Sequence, residues 1–97
     1  MSNNVNPINS GLQAVNSVTG TSGNAPIATI NATNVYALFQ NIGATDMYIT
    51  FSGATASTVN SFLLKANGGM IEFTNFMPLG VVSVYSAGNW TMAYMIA

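Results

Sequence analysis

The sequence predicts an all-β fold: a small antiparallel β-sandwich or barrel of about seven short strands, with jelly-roll connectivity among its options, and an N-terminal arm. Three observations carry this. After residue 24 the chain turns to short β-branched and aromatic runs separated by Gly, Asn, Pro and Ser. Several runs alternate as half-buried strands do, with Met47, Ile49 and Phe51 against Tyr48, Thr50 and Ser52, and Ile71 and Phe73 against Glu72 and Thr74. No helical period is visible in this part of the chain.

Residues 1–24 read as an arm, rich in Asn, Ser, Thr and Gly and without aromatics, and residues 25–97 as the β domain. Within the arm Val5, Ile8, Leu12 and Val15 are spaced by 3, 4 and 3 residues, and Ser10 followed by Gln13 resembles a capping box. Pro7, Gly11 and the asparagines oppose a helix, so an extended arm competes with a short helical one. In either form these four apolar residues are the arm's candidate partner-binding residues. Deleting residues 1–24 is expected to leave the β domain folded and to weaken attachment or oligomerisation.

Strands are expected over 27–31, 35–41, 47–52, 61–66, 69–74, 81–86 and 90–96. Asn67-Gly68 is a strong hairpin signal, since a type I′ turn needs positive φ at both central positions, and it predicts antiparallel pairing of the fourth and fifth strands. Ser86-Ala87-Gly88-Asn89 predicts the same for the last two. Pro78-Leu79-Gly80 marks a turn after Phe76-Met77.

At 97 residues and 10.1 kDa the chain holds one domain with one modest core. Its charged fraction is 3%, against about 25% in an average soluble protein. Asp46, Lys65 and Glu72 are the whole set of charged side chains, with no histidine and no cysteine. General acid–base catalysis needs a side chain titrating near the working pH, and a glycosidase pair would have to be Asp46 with Glu72, one in a turn signal and one in a strand. The expectation is a protein that is not an enzyme, with no catalytic residues, no cofactor and no metal site, because imidazole and thiolate ligands are missing.

A single lysine cannot supply the phosphate contacts on which nucleic-acid affinity depends, and no phosphate-cradling glycine loop is present. The longest apolar runs, such as residues 92–97, are far below the roughly 20 residues of a membrane-crossing helix. Nucleic-acid and membrane partners are therefore not expected. The start of the chain has neither a basic region nor an apolar segment of signal-peptide length, so no signal peptide is expected.

Roughly a third of the residues are Asn, Ser or Thr, so the surface is hydrated by neutral groups. Without charge repulsion, exposed strand edges and faces invite association. The strand over 35–41 is apolar on both sides, with Tyr36 and Leu38 against Val35, Ala37 and Phe39. One two-layer sandwich cannot bury both, so a homo-oligomer is expected, a trimer in preference to a dimer. Tyr36, Leu38, Tyr48, Tyr85 and Trp90 are the interface candidates.

Trp90 with Tyr36, Tyr48, Tyr85 and Tyr94 supports either core and interface anchors or a stacking platform for sugar. Met47, Met70, Met77, Met92 and Met95 read as adaptable core filler. Lys65 and Glu72 flank the expected hairpin and would pair across it. Asp46 reads as a turn residue bonding its own backbone.

One long run, Asn41-Ile42-Gly43-Ala44-Thr45-Asp46-Met47-Tyr48-Ile49-Thr50-Phe51-Ser52-Gly53-Ala54-Thr55, precedes Leu63-Leu64 and Gly68-Gly69. A second, Asn75-Phe76-Met77-Pro78-Leu79-Gly80-Val81-Val82-Ser83-Val84-Tyr85-Ser86, follows them. Together they resemble small β-rich structural proteins of tailed-phage virions, capsid decoration or cement proteins, over about residues 35–97. The resemblance implies a virion structural protein on the capsid surface, made in the host cytoplasm, with the major capsid protein as partner. Tail or fibre modules that bind carbohydrate are the alternative it implies. No catalytic residues carry over, and the near absence of charge departs from the group's pattern.

Overall fold

A computed structural model describes residues 15–97. Val5, Ile8 and Leu12, with the Ser10–Gln13 helix start, lie outside the described residues. Eight strands form: β1 (Asn16–Gly20), β2 (Gly23–Ile30), β3 (Ala37–Asn41), β4 (Met47–Thr50), β5 (Phe62–Leu64), β6 (Met70–Phe73), β7 (Gly80–Ser86) and β8 (Trp90–Ile96). They make two four-stranded antiparallel sheets, the first ordered β1-β8-β3-β6 and the second β2-β7-β4-β5.

That order comes from one long folded-over ribbon. β1 pairs with β8, β2 with β7, β3 with β6 and β4 with β5, as nested pairs of a single hairpin. Rolling the ribbon puts alternate pairs in different sheets and adds the ladders β3·β8 and β4·β7. The topology is a jelly roll, with β1 and β6 as the edges of the first sheet and β2 and β5 as those of the second.

Strict alternation puts the core between the sheets. Ala37 and Phe39 of β3, Met47 and Ile49 of β4, Val82 and Val84 of β7 and Met92 of β8 are all fully buried. Phe51 extends this core, edge-on to Phe39 and to Phe73 with ring centroids 5.8 and 5.1 Å apart. Each side chain reaches the core because neighbours two apart share a face, so a one-residue slip would expose the whole set.

Four expectations are corrected. The boundary at residue 24 falls inside β2, and Asn16–Gly20, read as arm, pairs with β8 from Asn16↔Tyr94 to Gly20↔Trp90. Its polar side chains hid a strand held by backbone ladder bonds on an edge. Next, β5 and β6 do not pair: they lie in different sheets, with β4 and β3 as partners. Asn67 and Gly68 do have positive φ, 62° and 128°, but the turn carries the chain from one sheet to the other. Its amides bond the β3 end, Asn67 N–H to the Gly43 carbonyl at 2.8 Å and Gly68 N–H to that of Asn41 at 2.7 Å.

The residues 86–89 likewise pass the chain from β7 in the second sheet to β8 in the first, so the last two strands are not neighbours. Turn residues signal reversal, not sheet partnership, and both corners reverse between layers. Finally, Lys65 does not meet Glu72. Lys65 Nζ donates to Asp46 Oδ2 at 3.0 Å, and the Tyr36 hydroxyl donates to Glu72 Oε2 at 2.7 Å.

Candidate interaction surfaces

The loop between β3 and β4, residues 42–46, is the polar centre of one end of the sandwich. Fully buried Asn41 donates both amide hydrogens, to the Thr45 carbonyl at 2.8 Å and the Leu64 carbonyl at 2.9 Å, and its Oδ1 accepts from Gly43 N–H at 3.0 Å. One side chain thus ties β3, the loop and β5 together, joining the two sheets. Buried Ser86 donates to the Asp46 carbonyl at 2.9 Å. Asp46 itself accepts from Ala66 N–H at 2.8 Å as well as from Lys65, which replaces the expected local turn bond. These two donors, Ala66 first, hold its carboxyl below the ordinary aspartate value.

An open cleft of about 720 Å³ lies against this loop, lined by Thr19, Thr21, Thr45, Asn89 and Thr91 with Trp90. Trp90 is only 3% exposed, its indole N–H donating to the Thr21 carbonyl at 3.1 Å. Gly20 packs so closely under the indole that a side chain there would collide with the ring. The indole face is therefore occupied by its own chain and offers no stacking platform. The lining mixes these hydroxyl and amide groups with apolar surface that includes Ala44, and none of it is charged.

The outer face of the first sheet brings Leu38 between Met95 of β8 and Glu72 of β6, with Gln40 one step on between Ala93 and Met70. Val15, exposed just before β1, joins Leu38, Ala93 and Met95 around a shallow apolar depression of about 100 Å³. Tyr36 caps this face through Glu72, and the hydrogen bond, then desolvation and the carboxylate charge, raise its hydroxyl above the usual tyrosine value. The outer face of the second sheet carries a row across its four strands: Leu63, Tyr48, Tyr85 and Asn24. Tyr48 and Tyr85 lie side by side with centroids 6.3 Å apart. Tyr36, Leu38, Tyr48 and Tyr85 are thus half-buried on two opposite outer faces, and Trp90 stands apart from them.

No family model matches this chain, and no curated protein or solved structure was found to be similar to it. The surfaces are read from their own chemistry.

A third surface was missed from sequence. On the side formed by edge strands β5 and β6, Phe62 is 58% exposed and Phe76 70%, linked through Phe51 and Phe73 by ring contacts of 5.1 to 6.5 Å. Leu63 is exposed on the outer face of the second sheet and Met70 on that of the first. Met70 faces outward on β6 and is not core filler, unlike buried Met47 and Met92. The signal was present in Phe62-Leu63-Leu64, where three consecutive apolar residues force at least one outward on a strand.

Proposed function

We propose that this chain is a non-enzymatic structural protein of a tailed-phage virion, a capsid decoration or cement protein that assembles as a homo-oligomer on the head lattice. One observation carries the assembly reading. Ten large apolar side chains stand exposed among the described residues, while Asp46 and Lys65 pair with each other and Glu72 is engaged by Tyr36. Such a surface is built for contact with apolar and neutral groups, and it has little with which to attract a charged substrate or a phosphate backbone.

The virion assignment rests on the resemblance of the motifs over 35–97, and the jelly-roll order supports it as an architecture used by viral capsid domains. A cement protein acts by linkage. Binding the assembled lattice, and not its dispersed subunits, it stabilises the lattice by an amount that grows with the logarithm of its free concentration over Kd, and several weak sites per copy multiply the effect. The test uses heads stripped of this protein, which are expected to break at lower temperature and to recover on adding it back. Heads that neither bind the added chain nor gain heat resistance would refute the assignment.

The open cleft favours a second reading, a tail or fibre module that binds carbohydrate, because neutral hydroxyl and amide groups suit a neutral polyhydroxylated ligand. Titration with neutral oligosaccharides, read by Trp90 fluorescence, tests it. A saturable signal abolished by Asn89→Ala supports the cleft, and an unchanged spectrum at millimolar sugar removes it.

A further inference from the structure

We propose that the β5–β6 side of the sandwich is the self-association surface, where one copy of this chain packs against another through Phe62 and Phe76. This rests on the assembly reading above and names the surface it uses. The sandwich has two open sides, one where edge strands β1 and β2 meet and one where β5 and β6 meet. They are built differently.

The first side is blunted. Pro26 stands in edge strand β2 without an amide hydrogen, and a bulge between Pro26 and Ala28 breaks the ladder register. The second side is guarded by the shortness of its strands, three residues in β5 and four in β6, and by neither proline nor bulge: the β4·β5 and β3·β6 ladders run without register shifts. Its strands leave free backbone edges flanked by exposed apolar residues.

Here the exposed apolar surface also concentrates. Phe62 and Phe76 present on the order of 250 Å² of apolar area between the two sheet edges, flanked by Leu63 on the outer face of the second sheet and Met70 on that of the first. Leu63, Met70 and the two backbone edges must join the aromatic pair for each copy to bury the roughly 800 Å² of a standard interface. The aromatic rings supply anchors of the type that dominate such interfaces, and Phe62 and Phe76 are already braced by Phe51 and Phe73, so little side-chain freedom is lost on docking.

Electrostatics favours a second copy as the occupant. The charged residues on this side are Lys65 next to β5, already neutralised by Asp46 at 3.0 Å, and Glu72 in β6, held by the Tyr36 hydroxyl, so two identical surfaces bring together only one uncompensated carboxylate each and meet with little repulsion. A highly charged partner would find nothing complementary there. The same apolar patch on each copy is self-complementary, as closed symmetric assemblies require.

Sedimentation equilibrium of the full chain tests this. The unaltered protein is expected to be oligomeric at about 10 μM, and Phe62→Asp with Phe76→Asp is expected to weaken association by roughly a hundredfold or more, giving a monomer. Val81→Asp puts the same charge on the outer face of the second sheet, two strands away, and should leave the mass unchanged. Far-UV circular dichroism and cooperative melting establish that each variant is folded.

Should the phenylalanine pair disturb folding, Leu63→Lys with Met70→Lys changes two exposed side chains outside the ring cluster and must dissociate the oligomer in the same way. An unaltered protein that is monomeric at 100 μM, or an oligomer that keeps its mass in both double variants, would overturn the proposal. An oligomer insensitive to these residues would leave the virion reading standing, because that reading is tested on heads.

Discussion

Asn41 is the residue on which one end of the molecule depends, because a fully buried amide with both hydrogens and its oxygen engaged holds together groups from both sheets. Asn41→Ala would leave the Thr45 and Leu64 carbonyls without those donors in a dry interior. A loss of roughly 2–4 kcal/mol is expected in urea unfolding, and a loss below about 0.5 kcal/mol would show that water replaces the side chain freely. Gly20→Ala should cost roughly 1–3 kcal/mol and shift Trp90 emission, since the indole must move to admit a methyl group. Two half-buried ionisable groups have shifted pKa values that link stability to pH. Asp46 has a lowered pKa, so its contribution is complete above the unfolded value of 3.8 and disappears as pH falls through the lower folded value. Tyr36 has a raised pKa, so its contribution is complete below 10.0 and disappears as pH rises through the higher folded value. Melting curves should therefore show an acid limb flattened by Asp46→Asn and an alkaline limb flattened by Tyr36→Phe; limbs identical to the unaltered protein would contradict both assignments.

At the scale of the element, the strands that face the core were legible because alternation is a property of the strand itself. Met47–Thr50 and Trp90–Ile96 begin where their patterns begin. β1 was not legible: Asn16, Ser17 and Thr19 are polar, and what makes that segment a strand is the free edge of β8, a partner more than 70 residues away in sequence. Strand partnership failed for a related reason. Asn67-Gly68 specifies a backbone reversal, but whether the chain returns alongside or crosses to the other layer depends on where β3 and β4 lie. The arm boundary follows from this. Deleting residues 1–14 leaves all eight strands in the chain, and should preserve the melting temperature to within a few degrees while weakening attachment to heads. Deleting residues 1–24 removes β1 and the start of β2, and is expected to unfold the domain at much lower temperature, against the expectation drawn from composition. Equal melting temperatures for the two truncations would show that β1 adds nothing to the fold.

The molecule as a whole is defined by what it does without. With a net charge of −1 and 3% charged residues, it has almost no field to screen, so its self-association should have nearly the same constant in 0.1 and 1 M NaCl. A tenfold change between these conditions, read by sedimentation, would mean that ions matter at the interface. Composition made the neutral surface legible, and the apolar side at Phe62 and Phe76 became visible only once the roll had placed β5 and β6 together. The proposed virion role puts this jelly roll in an assembled capsid, and electron cryomicroscopy of the virion is the direct measurement. Density for a 10.1 kDa two-sheet domain is expected, clustered symmetrically on the outer surface of the head with its β5–β6 sides in mutual contact. Density confined to a tail or fibre, or a head lattice without this domain, would contradict it.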